Sequence, residues 1–252
     1  MRTPWMTFAL SWAWAASLAL SAPARADDTK GKPAQEARSF EKEIKLTVKL
    51  HYLLFLPEGY AEQTQKKWPL MLFLHGAGES GSDLEKVKLH GPPKIVETKR
   101  DFPFILVSPQ SAGRGWNPAA LDALLDDVTA HYRVDPDRIY LTGLSMGGFG
   151  TWALAAARPG RFAAIAPICG GGNPRDAEKI KHIPVWVFHG AKDPTVPLAA
   201  SQSMVDALRS AGATEVKFTV YSDAGHDSWT ETYANPALYQ WLLDHTRGKA
   251  AK

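Results

Sequence analysis

The chain has 252 residues, 45% of them hydrophobic and 22% charged, with a formal net charge of +3 at pH 7. That length and composition can bury one substantial core, so a single α/β domain is expected. A charge this close to balance gives no reason to expect nucleic acid as a partner, and one cysteine, Cys169, cannot form an intramolecular disulfide.

The chain opens with Arg2, a charge-free stretch rich in Ala, Leu and Trp, and then Ala22-Pro23-Ala24-Arg25-Ala26 ahead of Asp27-Asp28. Residues 1–26 read as a secretory signal peptide cleaved after Ala26, which implies a periplasmic or extracellular protein with no stable membrane association after cleavage. An uncleaved anchor is the alternative, because residues 3–24 carry no charge. Residues 27–40 read as a flexible leader, 41–246 as the folded domain and 247–252 as a disordered tail.

Trp68 to Leu74 is a continuous apolar run, the pattern of a parallel strand buried on both faces. It ends in His75-Gly76-Ala77-Gly78-Glu79, a glycine-flanked turn able to aim a backbone N–H outward, from Ala77 or, as the alternative, Gly78. Glu79 either steers this turn or stands exposed. Gly78 to Pro103 and Pro109 to Pro118 are expected to be loops and short helices that shape a cleft. Between them, Phe104 to Ser108 reads as a strand. Trp116 lies past its end, where it forms either a wall for an acyl or aromatic group or ordinary loop packing. Asn117 to Tyr132 has the alternation of an amphipathic helix.

Arg138 to Thr142 leads into Gly143-Leu144-Ser145-Met146-Gly147, and a helix is expected over Met146 to Ala157. A G-x-S-x-G pentapeptide between a strand and a helix marks Ser145 as a nucleophile, held in a tight turn whose glycines let strand and helix approach closely. An N-cap serine would not need a glycine on both sides. The N–H of Met146, the residue after the nucleophile, is one expected oxyanion donor, and the N–H of Ala77 is the other.

A serine hydroxyl needs a base within hydrogen-bond reach and a third group to orient that base, with the acid preceding the histidine in the chain. Asp193 follows the apolar run Ile183 to Phe188, and His226 follows the strand-like Val216 to Tyr221, with the helical stretch Leu198 to Ala211 between them. Asp223 and Asp227 are read as solvated turn residues, and His75 and His189 as hydrogen-bonded supports of the backbone. Trp229, just beyond His226, carries the same two readings as Trp116. Cys169 closes the run from Phe162 and reads as a small buried hydrophobe. No metal or other cofactor is implied, since no further cluster has ligand spacing and no phosphate-gripping glycine loop occurs.

With these blocks in place, the chain resembles a single-domain serine esterase of the α/β-hydrolase superfamily, from about Lys42 to His245. The resemblance implies a mostly parallel central sheet with helices on both faces and no large lid. Ser228-Trp229 and Asn235 to Leu243 are similar to bacterial prolyl-oligopeptidase-like or feruloyl-esterase-like hydrolases. Dienelactone hydrolases share the architecture but carry cysteine where this chain has Ser145, and true prolyl oligopeptidases add a propeller for which this chain has no room. The resemblance implies a small-molecule or carbohydrate-linked ester as substrate, short-chain aliphatic or feruloyl or acetyl. Amide or peptide hydrolysis, and a catalytically silent binding protein on the same fold, are the two rivals.

Overall fold

The computed structural model describes residues 38–43 and 47–248. The expected signal peptide and most of the expected leader lie outside the described residues. The chain divides into a unit ending at Lys45 and a second from Leu46 onward. In the first, residues 38–43 have no regular secondary structure.

The second unit is built on seven strands: β1 (His51–Phe55), β2 (Trp68–Leu74), β3 (Ile105–Gln110), β4 (Val134–Leu144), β5 (Ala164–Ile168), β6 (Val185–Gly190) and β7 (Val216–Tyr221). They form one sheet in the order β1-β3-β2-β4-β5-β6-β7, in which only β1 runs antiparallel, against β3. This is the mostly parallel α/β-hydrolase architecture.

The helices are α1 (Gly91–Ile95), α2 (Pro118–His131), α3 (Met146–Ala157), α4 (Ala177–Ile180), α5 (Leu198–Ser210), α6 (Trp229–Ala234) and α7 (Pro236–Asp244). Asn117 caps α2 by accepting from the N–H groups of Ala119 and Ala120, with Pro118 at the first helical position. Asn235 and Pro236 repeat the device at α7.

Alternation along β2 explains why the sheet needs covering on both faces. Leu70, Leu72 and Leu74 point into a core shared with α2, α3 and α5, while Met71 and Phe73 join Tyr233, Leu238 and Trp241 of α6 and α7 on the other side. Each fully buried side chain of this kind contributes about 1.5–3 kcal/mol relative to exposure.

The ladder runs on past the strand ends. The N–H of Ser145 donates to Ile168 O (2.9 Å), that of Cys169 to Phe188 O (2.9 Å) and that of Ala191 to Tyr221 O (2.9 Å). The loops that follow β4, β5 and β6 are thereby pinned side by side on one rim, where functional groups of open parallel sheets collect. At the C-terminal end, Arg247 donates from its N–H to Asp137 O (2.8 Å) and from its guanidinium to Gly160 O (2.9 Å), which anchors the chain beyond α7. Residues 249–252 of the expected tail lie outside the described residues. Among the described residues no helix is long and apolar enough to cross a membrane.

Candidate active site

Ser145 sits between β4 and α3 with φ 53° and ψ −116°, a strained conformation for a residue with a side chain. The strain is sustained by close packing of the turn's glycines. A Cβ on Gly143 would lie 2.6 Å from the carbonyl carbon of Gly147, and one on Gly147 would lie 2.5 Å from that of Leu74. Only glycine fits at either place, so strand and helix meet at a separation that fixes the serine at the tip.

His226 and Asp193 converge on it. Oγ of Ser145 and Nε2 of His226 are 2.9 Å apart across 81 residues of sequence, and Nδ1 of His226 lies 2.7 Å from Oδ2 of Asp193. The two loops bearing these partners are themselves pressed together: a Cβ on Gly190 would lie 2.5 Å from Ala224 O, and Lys192 N–H donates to the same oxygen at 3.0 Å. The Asp193 side chain has no exposed surface. Burial works to raise its pKa, but hydrogen bonds from His226 and from the N–H groups of Val196 (2.9 Å) and Thr195 (2.8 Å) outweigh it and hold the carboxyl below its ordinary value. An anion facing Nδ1–H leaves Nε2 free to accept the serine proton.

The rival acids stand elsewhere. Asp223 is exposed and paired with Lys192 (2.7 Å), and Asp227 accepts from Thr230 N–H (3.1 Å) at the start of α6.

The two expected oxyanion donors are the N–H groups of Met146 and Ala77. Met146 opens α3, whose first helical bond runs from Phe149 N–H to Ser145 O, so the Met146 N–H has no partner within the helix. Ala77 opens a 3-10 turn, Ala77–Glu79, and both Ala77 and Gly78 are exposed. The preceding Gly76 packs so tightly on Leu144 that a Cβ there would stand 2.7 Å from Cδ1, which sets this turn beside the serine.

His75 supports that arrangement as a neutral ring. Its Nδ1–H donates to Gly76 O (2.6 Å) and its Nε2 accepts from Ser111 N–H (3.0 Å), tying the loop after β2 to the loop after β3. Burial lowers its pKa, against the opposing effects of Gly76 O and Glu79. Glu79 is buried rather than exposed, with Oε1 3.7 Å from Nε2 of His90.

Trp116 and Trp229 part company. Trp116 meets the His75 ring edge-on (centroids 4.8 Å apart), donates from Nε1 to His75 O (3.3 Å), and lines a cleft of about 360 Å³ together with Ser145, Met146, Phe149, Gly150 and Ala153. Gly115 N–H donates to Sδ of Met146 (3.0 Å), fastening the cleft's outer loop to the start of α3. Trp229 stands outside this lining, edge-on to His226 (5.2 Å) and to His90 (5.6 Å). Phe149 is the lining residue that sequence patterning passes over. It belongs to α3, yet 44% of it is exposed, and an apolar residue at helical spacing reads as core. Hollows of about 450 and 490 Å³ around Gly160 and Arg247 lie at the N-terminal ends of the strands, remote from Ser145.

Cys169, Asp193 and His226 each present one ligand atom within 4.8 Å of the others. Two of these groups are committed to the hydrogen bonds above. Burial pushes the Cys169 thiol up to about 12, so it is protonated and a poor donor to a metal.

Residues 97–239, more than half of the chain, match the family described as "Dienelactone hydrolase family". The chain belongs to the dienelactone hydrolase family. Within it, this member carries Ser145 at the strand-to-helix turn, and its one cysteine lies at the end of the neighbouring β5. A protein named "Probable feruloyl esterase C" from Aspergillus terreus (strain NIH 2624 / FGSC A1156) is 29% identical over 168 residues, covering 62% of this chain and 59% of its own length. The chain thus spans less than two thirds of that relative. A solved structure titled as a thermostable esterase is 34% identical, with a TM-score of 0.70 over 78% of this chain and 59% of the other. The acylaminoacyl peptidase of Pyrococcus horikoshii shares the fold at 15% identity, with a TM-score of 0.61 over 84% of this chain and 41% of its own.

Proposed function

We propose that this dienelactone hydrolase family member is an exported carboxylic ester hydrolase that works through an acyl-enzyme on Ser145. The observation that carries the reading is the unbroken hydrogen-bonded sequence from Ser145 Oγ through His226 to the buried, ionised Asp193. His226 Nε2 takes the hydroxyl proton as Oγ attacks the ester carbonyl, and Asp193 stabilises the imidazolium that results. The oxyanion is met by the N–H groups of Met146 and Ala77. As the tetrahedral intermediate collapses, His226 gives the proton to the departing alcohol. It then takes one from water, which attacks the acyl carbon and releases the acid and free Ser145.

Cys169 is no substitute nucleophile, being a wholly buried thiol. The cleft beside Ser145 is of ligand-pocket size and mainly apolar in lining, so it suits a short aliphatic or a flat aromatic acyl group. The relative named as a feruloyl esterase is consistent with the second. Export rests on the signal-peptide pattern of residues 1–26.

A panel of p-nitrophenyl esters of graded acyl length, a feruloyl ester and a p-nitroanilide tests the reading. Ester turnover is expected, with the anilide much slower, and Ser145→Ala should lower kcat by roughly 10⁴-fold or more. No turnover of any ester by the folded protein would leave a silent binding protein; preference for the anilide would make it an amidase.

A further inference from the structure

Asp193 is met by a second histidine. His189, at the C-terminal end of β6 and wholly buried, places Nε2 2.9 Å from Val196 O and 3.3 Å from Oδ2 of Asp193, the same oxygen that His226 engages. A carbonyl and a carboxylate can only accept, so Nε2 carries the proton. Nδ1 lies 2.7 Å from Oγ of Ser201, which is also 3.0 Å from Gly170 O. Because Gly170 O has a donor in Trp152 Nε1 (3.2 Å), the Ser201 hydroxyl is free to donate to Nδ1 and fix this tautomer.

We propose that His189 is a positioning residue for the acid: its Nε2–H, held by β6 and Ser201, fixes the Val196 peptide, whose own N–H holds the Asp193 carboxylate in the orientation that His226 requires. The proposal rests on the reading of Ser145, His226 and Asp193 given above. The acid rides on the loop joining β6 to α5, and its two oxygens are held from opposite sides. Oδ1 accepts from Thr195 and Val196 N–H, while Oδ2 faces His226 and His189. The Val196 peptide closes the arrangement, donating through its N–H to Asp193 and accepting through its carbonyl from His189. Rotation of the carboxylate about its own axis would break its bonds to Thr195, Val196 and His226 together.

The test uses His189→Leu, which removes the donor, and His189→Gln, whose amide N–H restores one, in the mature enzyme with thermal melts alongside. For the Leu variant kcat should fall about 10- to 100-fold with KM within about twofold. The Gln variant should recover most of the rate. Folded variants with wild-type kcat, or a loss in the Leu variant that the Gln variant does not recover, would overturn the proposal. If the Leu variant does not fold, Ser201→Ala takes its place, with a several-fold loss of kcat at constant KM expected and an unchanged kcat contradicting it. Failure of an organophosphonate to label wild-type Ser145 would instead remove the reading on which the proposal rests.

Discussion

Gly147 lies against the main chain of Leu74 so closely that a Cβ would stand 2.5 Å from the Leu74 carbonyl carbon and 2.8 Å from His75 O. The obstacle is backbone at the end of a central strand, which cannot swing aside like a flexible side chain. Gly147→Ala must therefore push α3 away from β2. A loss of about 2–3 kcal/mol in urea denaturation is expected, with a fall in kcat, because the same shift displaces Ser145. Gly78→Ala is the control: nothing lies within 4 Å of a Cβ there, and the denaturation midpoint should not move.

Acid should destabilise the fold in two stages. The folded pKa of His75 lies below its ordinary 6.5, so the unfolded chain takes up the proton first, and this contribution is full above pH 6.5 and lost as pH falls from there. Asp193 and Glu215 are carboxyls held below their ordinary 3.8 and 4.5. For Glu215, burial is outweighed by donors from Trp241 (2.6 Å) and His245. Their contribution is present above those values and disappears as pH drops below them. Urea melts from pH 8 to 3 should show both declines, and His75→Gln should flatten the first. An unaltered first decline in that variant would rule out His75 as its source.

Phe149 is expected to set acyl preference. Truncation to Ala removes part of the apolar lining beside Ser145, and kcat/KM for a p-nitrophenyl butyrate or feruloyl ester should fall about 5- to 30-fold relative to the acetate. Leu89, 53% exposed and outside the cleft lining, is the control, and Leu89→Ala should leave the ratio unchanged.

Cys169 should be silent toward thiol reagents in the native protein. Its thiol is buried and protonated, and only a thiolate alkylates readily. Iodoacetamide at neutral pH should leave turnover and mass unchanged, with one adduct gained after denaturation. Loss of activity together with native alkylation would place the thiol within reach of solvent and of the reaction.

What the sequence reveals and conceals follows from the range of each interaction. Met146–Ala157 is legible as a helix because the glycine turn and apolar spacing are local, and Val216–Tyr221 as a strand because it alternates. The alternation of Asn117 to Tyr132 likewise matches α2. Chain order brings Ser145, Asp193 and His226 together as candidates, since strand ends in a parallel sheet share one rim. By contrast, the edge strand β1 has a mixed exposure pattern and depends on pairing with the distant β3, His51 against Gln110 and Phe55 against Leu106, to be a strand at all. The apposition of His189 and Asp193 depends on how a loop folds back. Trp116 reaches the cleft and Trp229 packs on His226 and His90 for the same reason, although both stand past strand ends.

Ester hydrolysis at this site requires Ser145 to be an activated nucleophile. Mass spectrometry after treatment with a fluorophosphonate measures this most directly. One covalent adduct is expected, on the peptide carrying Ser145, forming in step with loss of esterase activity and absent from Ser145→Ala. No adduct on the folded protein, or an adduct that persists in Ser145→Ala, would contradict it.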